Sequence, residues 1–139
     1  MFTLVAFSQS NFFTPTNYRG AIDSDSTKDW TKGWTNWDPN NTVYSATTDT
    51  INGGDITSNT TWTKNKVYLL NDGYVYVTNN ATLTIEAGTV IRGTGKGTLI
   101  ICRGAKIIAR GTLAEPIVFT SNNGAGLRAP GNWGGLVLT

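Results

Sequence analysis

From about Val67 onward, apolar and polar positions alternate with a period of two, the spacing that sends successive side chains to opposite faces of a strand. Val75 and Val77 share one face, and so do Leu83 and Ile85, while Thr82, Thr84 and Glu86 fall on the other. The pattern then recurs at a fixed shift: Ala81 to Gly88 (ATLTIEAG) is answered by Ala105 to Thr112 (AKIIARGT). That shift carries Val75 onto Leu99, Val77 onto Ile101, Leu83 onto Ile107 and Ile85 onto Ala109. Ile117 and Phe119 follow, then a polar loop from Asn122 to Pro130, then Leu136 and Leu138 in the positions of Leu99 and Ile101. Short alternating strands at a period of twenty-odd residues predict an all-β solenoid whose coils stack as parallel strands around aliphatic columns. Residues 67–139 would make about two to three such coils.

The first and last coils of a solenoid expose unpaired N–H and C=O groups and apolar interior, so each needs a cover. Residues 11–66 have no sustained period and are expected to form an irregular N-terminal cap. Within them Trp30, Trp34 and Trp37 fall at i, i+4 and i+7, one face of a helix of one or two turns. Asp29 could cap its start and Asp38-Pro39 would stop it. Residues 1–10 carry a short apolar run without a basic start, and read either as a signal-peptide remnant or as a first strand. At the other end the pattern stops in mid-strand at Thr139. Leu136, Val137, Leu138 and Thr139 are therefore the expected interface, pairing with missing coils of a longer chain or with another molecule.

Composition narrows the chemistry. The 23 Thr, 14 Asn and 16 Gly suit strands and turns, and only 14% of the residues are charged. A net charge of +2 with scattered basic residues argues against nucleic acid, and no segment is long enough for a membrane span. With no histidine and one cysteine, Cys102, the chain cannot hold a Ser-His-Asp or Cys-His system, a histidine-bound metal or an internal disulfide. The composition reads as secreted or extracellular.

Several stretches carry a resemblance: Ala81 to Ile91, Arg103 to Ile107, Glu115 to Ser121 and Gly131 to Leu136, with Asn17 to Ala21 and Gly33 to Pro39 upstream. Together they resemble the right-handed parallel β-helix region of large secreted proteins of Bacteroidetes, often exported by the type IX system. The resemblance covers roughly residues 12–139. It implies a short right-handed parallel β-helix and export to the cell surface, and little about biochemistry.

Each candidate site has a plainer reading. The tryptophans could stack sugars, with surface glycans as partners, but a hydrophobic cap is physically required at that end. Asp23, Asp25 and Asp29 alternate like calcium ligands yet lack the glycine and terminal glutamate of a calcium loop, so no metal or other cofactor is expected. Glu86, Arg92, Arg103, Lys106 and Arg110 are the outward charges of the coils; Glu86 and Arg110 occupy equivalent positions and would pair across coils. No spacing implies a glycosidase carboxylate pair, so no catalytic residue is assigned. A threonine ladder is broken by Lys106 and Ile108. The expectation is a non-enzymatic structural or adhesive module, with a self-stacking filament subunit and a carbohydrate-binding or polysaccharide-cleaving β-helix as the alternatives.

Overall fold

The structure, a computed structural model, describes Ile22 and residues 25–33, 35–44 and 47–139. It divides into two compact units, Met1–Thr35 and Asn36–Thr139. The second holds every described strand. Its strands are β1 (Thr47–Ile51), β2 (Gly54–Ile56), β3 (Thr60–Trp62), β4 (Lys66–Asn71), β5 (Tyr74–Val77), β6 (Thr82–Ile85), β7 (Val90–Thr94), β8 (Thr98–Ile101), β9 (Lys106–Ala109), β10 (Val118–Ser121) and β11 (Gly135–Leu138).

These strands form three parallel sheets, ordered β1-β4-β7-β10, β2-β5-β8-β11 and β3-β6-β9. Each coil contributes one strand to each sheet, which makes a short right-handed parallel β-helix of three complete coils and two strands of a fourth. The repeat is observed where the sequence places it: Val75 pairs with Leu99, Val77 with Ile101, Leu83 with Ile107 and Ile85 with Ala109. Leu136 and Leu138 extend the Leu99 and Ile101 columns.

The coils start earlier than the expected boundary at residue 67. β1 to β3 occupy 47–62, inside the stretch expected to be irregular. The first coil is hard to read because its strands are short and mostly Thr, Gly and Asp, with Ile51, Ile56 and Trp62 as its sparse apolar contributions. Its step to the next coil is also shorter in this sheet: Thr47 pairs with Lys66, whereas Val67 reaches as far as Val90.

Inward side chains stack in columns. Leu70, Leu83 and Leu99 are fully buried, with Val75, Val77, Ile85 and Ile91 beside them. In this interior Trp62 lies on Tyr68, ring centroids 4.6 Å apart and 11° from parallel, and the Tyr68 hydroxyl accepts from Thr63 N at 2.8 Å. Trp62 escaped the sequence reading, which looked to Trp30, Trp34 and Trp37 for aromatic cover. Polar side chains tie the outside of the coils: Asn71 Nδ2 donates to Asn52 Oδ1 at 2.8 Å, Thr94 Oγ1 donates to Asn71 Oδ1 at 3.2 Å, and Lys96 N donates to Asp72 Oδ1 at 2.8 Å.

Candidate functional site

The corner between the first and second strands of a coil decides where a site can form. In the first three coils this corner spans 52–53, 72–73 and 95–97, two or three residues each. Such corners are packed tight: a Cβ on Gly97 would lie 2.2 Å from the Leu70 carbonyl oxygen. In the fourth coil the same corner runs through 122–134, thirteen residues. Its turns close on themselves, with Asn123 N donating to Ser121 Oγ at 3.0 Å, Leu127 N to Gly124 O at 3.0 Å and Ala129 N to Asn132 Oδ1 at 2.6 Å.

Arg128 fastens this loop to the segment 36–44. Its Nη1 donates to Pro39 O at 2.9 Å and Asn40 O at 3.2 Å, and its backbone N–H donates to Asn40 Oδ1 at 3.1 Å. Gly126 N reaches Asn40 O at 2.9 Å, and the Arg128 guanidinium sits 5.2 Å from the Tyr44 ring centre. At the loop's far end Trp133 packs over Gly93, where a Cβ would lie 2.5 Å from its ring. A glycine within a strand marks such a close approach. Between these anchors is a cleft of roughly 330 Å³ whose walls include Asn40, Phe119, Thr120, Ser121, Arg128 and Trp133. Arg92 stands on β7 directly alongside Thr120. Its burial lowers the Arg92 pKa, and the neighbouring Arg128 charge lowers it further.

Among the described residues no carboxylate lines the cleft. Four carboxylates of the coils hold coils together instead. Asp49 pairs with Lys66 at 3.1 Å, Asp72 accepts from Lys96 N, Glu86 Oε2 accepts from Lys64 N at 3.2 Å, and Glu115 pairs with Lys64 at 2.6 Å. The expected Glu86–Arg110 pair is not formed. The corner after β9 lengthens to eight residues, 110–117, and brings Glu115 rather than Arg110 into the polar cluster beside Glu86. Among the described residues no three His, Cys, Asp or Glu side chains are grouped to hold a metal. No described helix is long and apolar enough to cross a membrane.

Trp30 is 58% and Trp37 67% exposed, and Trp34 lies outside the described residues. Among the described residues of this stretch the chain is in turns, not in the expected short helix. Asp29 does act locally: its Oδ1 accepts from Thr31 N at 2.9 Å and Thr31 Oγ1 at 2.5 Å, which lowers its pKa. Asp25 makes the same contacts with Thr27 and pairs with Lys28 at 3.6 Å. Asp23, residues 1–10 and Asn17 to Ala21 lie outside the described residues.

Strand β11 is an edge strand hydrogen-bonded, among the described strands, only to β8, with Leu136, Val137 and Leu138 exposed. Thr139 adds N–H and hydroxyl bonds to Ile101 O. Cys102 is half-buried in the corner after β8, where its N–H meets Val77 O at 3.0 Å.

Arg128, Asn40, Trp133 and Arg92 were not singled out as a group by the sequence. Two signals pointed there: Gly93 inside a strand, and a polar loop several times longer than the corners at the same place in the other coils.

A family model described as a pectate-lyase like beta helix domain matches residues 54–139. None of the curated proteins matches the chain, and none of the solved structures does.

Proposed function

The chain belongs to the pectate-lyase-like beta helix domain family, and on that premise we propose that it is a non-catalytic β-solenoid module of an exported bacterial surface protein, with a structural or adhesive role. The observation that carries this reading is the use made of its carboxylates. Asp49, Asp72 and Glu86 each hold one coil to the next, Glu115 reaches past one coil to Lys64, and none of the four lines the cleft. Polysaccharide cleavage by paired carboxylates needs two of them flanking one bond. The cleft instead offers arginine, asparagine, hydroxyls and aromatic rings, groups suited to holding a ligand. Export by a type IX system in Bacteroidetes is the part of the proposal that rests on the strand motifs from Ala81 to Leu136.

The test is incubation of the purified chain with a panel of neutral and acidic polysaccharides, following new reducing ends and unsaturated sugar products. No turnover is expected. Cleavage that disappears in a cleft variant would overturn the reading.

A second reading, assembly, is favoured by β11. Its outer edge is unpaired among the described residues, and Leu138 is 67% exposed. A further coil of the same protein or a second copy would pair there. Mass measured across a concentration series checks it: growth into an oligomer supports stacking between copies, and a constant monomer mass removes it.

A further inference from the structure

Arg92 on β7 lies near enough to Arg128 of the lengthened corner to feel its charge, with no countercharge between them among the described residues. Neither guanidinium has an ion-pair partner among the described residues. Arg128 has a structural task, since Nη1 binds two carbonyls and the group lies over Tyr44. Arg92 has none: among the described residues its guanidinium makes no hydrogen bond, and its Nε is buried without a partner, as is that of Arg128. Arg92 projects outward between Leu69 and Thr120 on the flanking strands, and Thr120 lines the cleft. Two like charges in a half-buried setting repel, and Arg92 loses hydration that it does not recover from the protein. A guanidinium is built for planar, two-pronged bonding to an oxyanion.

We propose that this corner is an oxyanion-binding site, in which Arg92, beside the cleft, and the Arg128 guanidinium hold a phosphate, sulfate or carboxylate group at the Thr120 edge of the cleft. The Thr120 hydroxyl is a further donor beside them. Phe119 and Trp133 supply an apolar wall for whatever carries the anion. The inference rests on reading the cleft as a surface that holds a ligand, and it names the chemistry of that ligand.

The experiment uses the whole chain. Inorganic phosphate, sulfate and acetate are titrated at constant ionic strength against chloride, with amide shifts of Arg92, Thr120 and Arg128 and the Tm as readouts. Saturable shifts at these residues and a raised Tm are expected with at least one of the three anions. Arg92→Met keeps the side-chain stem while removing the charge, and should weaken binding at least tenfold with the anion-free Tm unchanged or higher. Arg92→Lys, which keeps the charge without the planar fork, should fall between the two.

Absence of a saturable response, or an equal response in Arg92→Met, would overturn the site. A sugar phosphate and a uronic acid, set against their neutral sugar, separate the sources of the anion. Tighter binding of the sugar-borne group means a glycan ligand that also uses the aromatic wall, and equal binding means a site for the free ion. Turnover measured in the same samples keeps the two ideas apart. Cleavage with Arg92-dependent binding would sink the non-catalytic reading alone, and no binding without cleavage would sink the oxyanion site alone.

Discussion

The second and third coils and the start of the fourth are built on the same three sheets, yet they spend their residues differently. In the former, first corners of two or three residues bring the strands back at once, and the polar atoms at the turns are taken up by ladders such as Asn52–Asn71–Thr94. In the latter, the thirteen residues of 122–134 leave the coil, recruit segment 36–44 through Arg128, and enclose a cleft. A solenoid is rigid because each coil serves its neighbours. Recognition becomes possible where a corner is released from that service.

If this division is right, the largest loss comes from the regular coils. Leu83 is fully buried between Thr60 and Ile107 in its column. Leu83→Ala removes packing on both sides and should cost about 2–5 kcal/mol, read as a fall in denaturant midpoint. All coils should melt together. A loss confined to one coil would break the picture of a shared interior.

Gly93→Ala probes the seam between the two regions. The added methyl would lie 2.5 Å from the Trp133 ring, which must move. Overpacking of this kind costs about 1–3 kcal/mol. The expected signature is a changed Trp133 environment and faster proteolysis within 122–134, with strands β4 to β6 still protected from hydrogen exchange. Equal loosening of both regions would show that the loop is as integral as a coil.

The same division explains what could be read in advance. The columns Val75–Leu99–Leu136 and Val77–Ile101–Leu138 were legible because strand pairing of this sort preserves period two, even where the long polar loop stretches the step to Leu136. The first coil was not, since Thr, Gly and Asp dominate its strands and its step from Thr47 to Lys66 falls short of the later repeat. The cleft was illegible for a different reason. Asn40 and Arg128 are 88 residues apart, and their hydrogen bonds follow from loop geometry that no periodicity encodes. Trp133 sits beside the repeat, but only the strand glycine it covers hinted at its place. For Trp30 and Trp37, i, i+4, i+7 spacing means a helix only if a helix forms, and the described residues around them are in turns. Asp29 instead closes a turn onto Thr31.

A smaller effect tests the aromatic filling of the coils. Tyr68→Phe keeps the stack on Trp62 and deletes only the hydroxyl that accepts from Thr63 N. One hydrogen bond of this kind is worth about 0.5–1.5 kcal/mol. Urea unfolding should show that loss with an unchanged m-value. A larger loss would mean that the hydroxyl also positions the 63–65 corner, and hence Lys64.

Lys64 gives the smallest and most local effect, and it bears on whether every lengthened corner behaves alike. The 110–117 corner is also long, but Glu115 returns it to the coils: Nζ of Lys64 donates to its carboxylate at 2.6 Å, and Gly88 N donates to its carbonyl at 2.9 Å. The hydrogen bond to Glu115, and then its charge, raise the Lys64 pKa above the ordinary 10.5. A raised pKa in the folded state stabilises fully below the unfolded value and fades as pH climbs through the folded one. On the alkaline side, the staple should therefore hold through neutral pH and weaken above pH 10.5. Because both groups face solvent, salt should weaken it as well. Lys64→Met should speed hydrogen exchange at Gly88 and Thr112, whose N–H groups both meet Glu115 O, without a measurable change in the global midpoint. If exchange at these two positions stays as slow as in the parent, the backbone bonds alone hold the corner. Length would then be no guide to freedom, and only the Arg128 loop would owe its release to its own sequence.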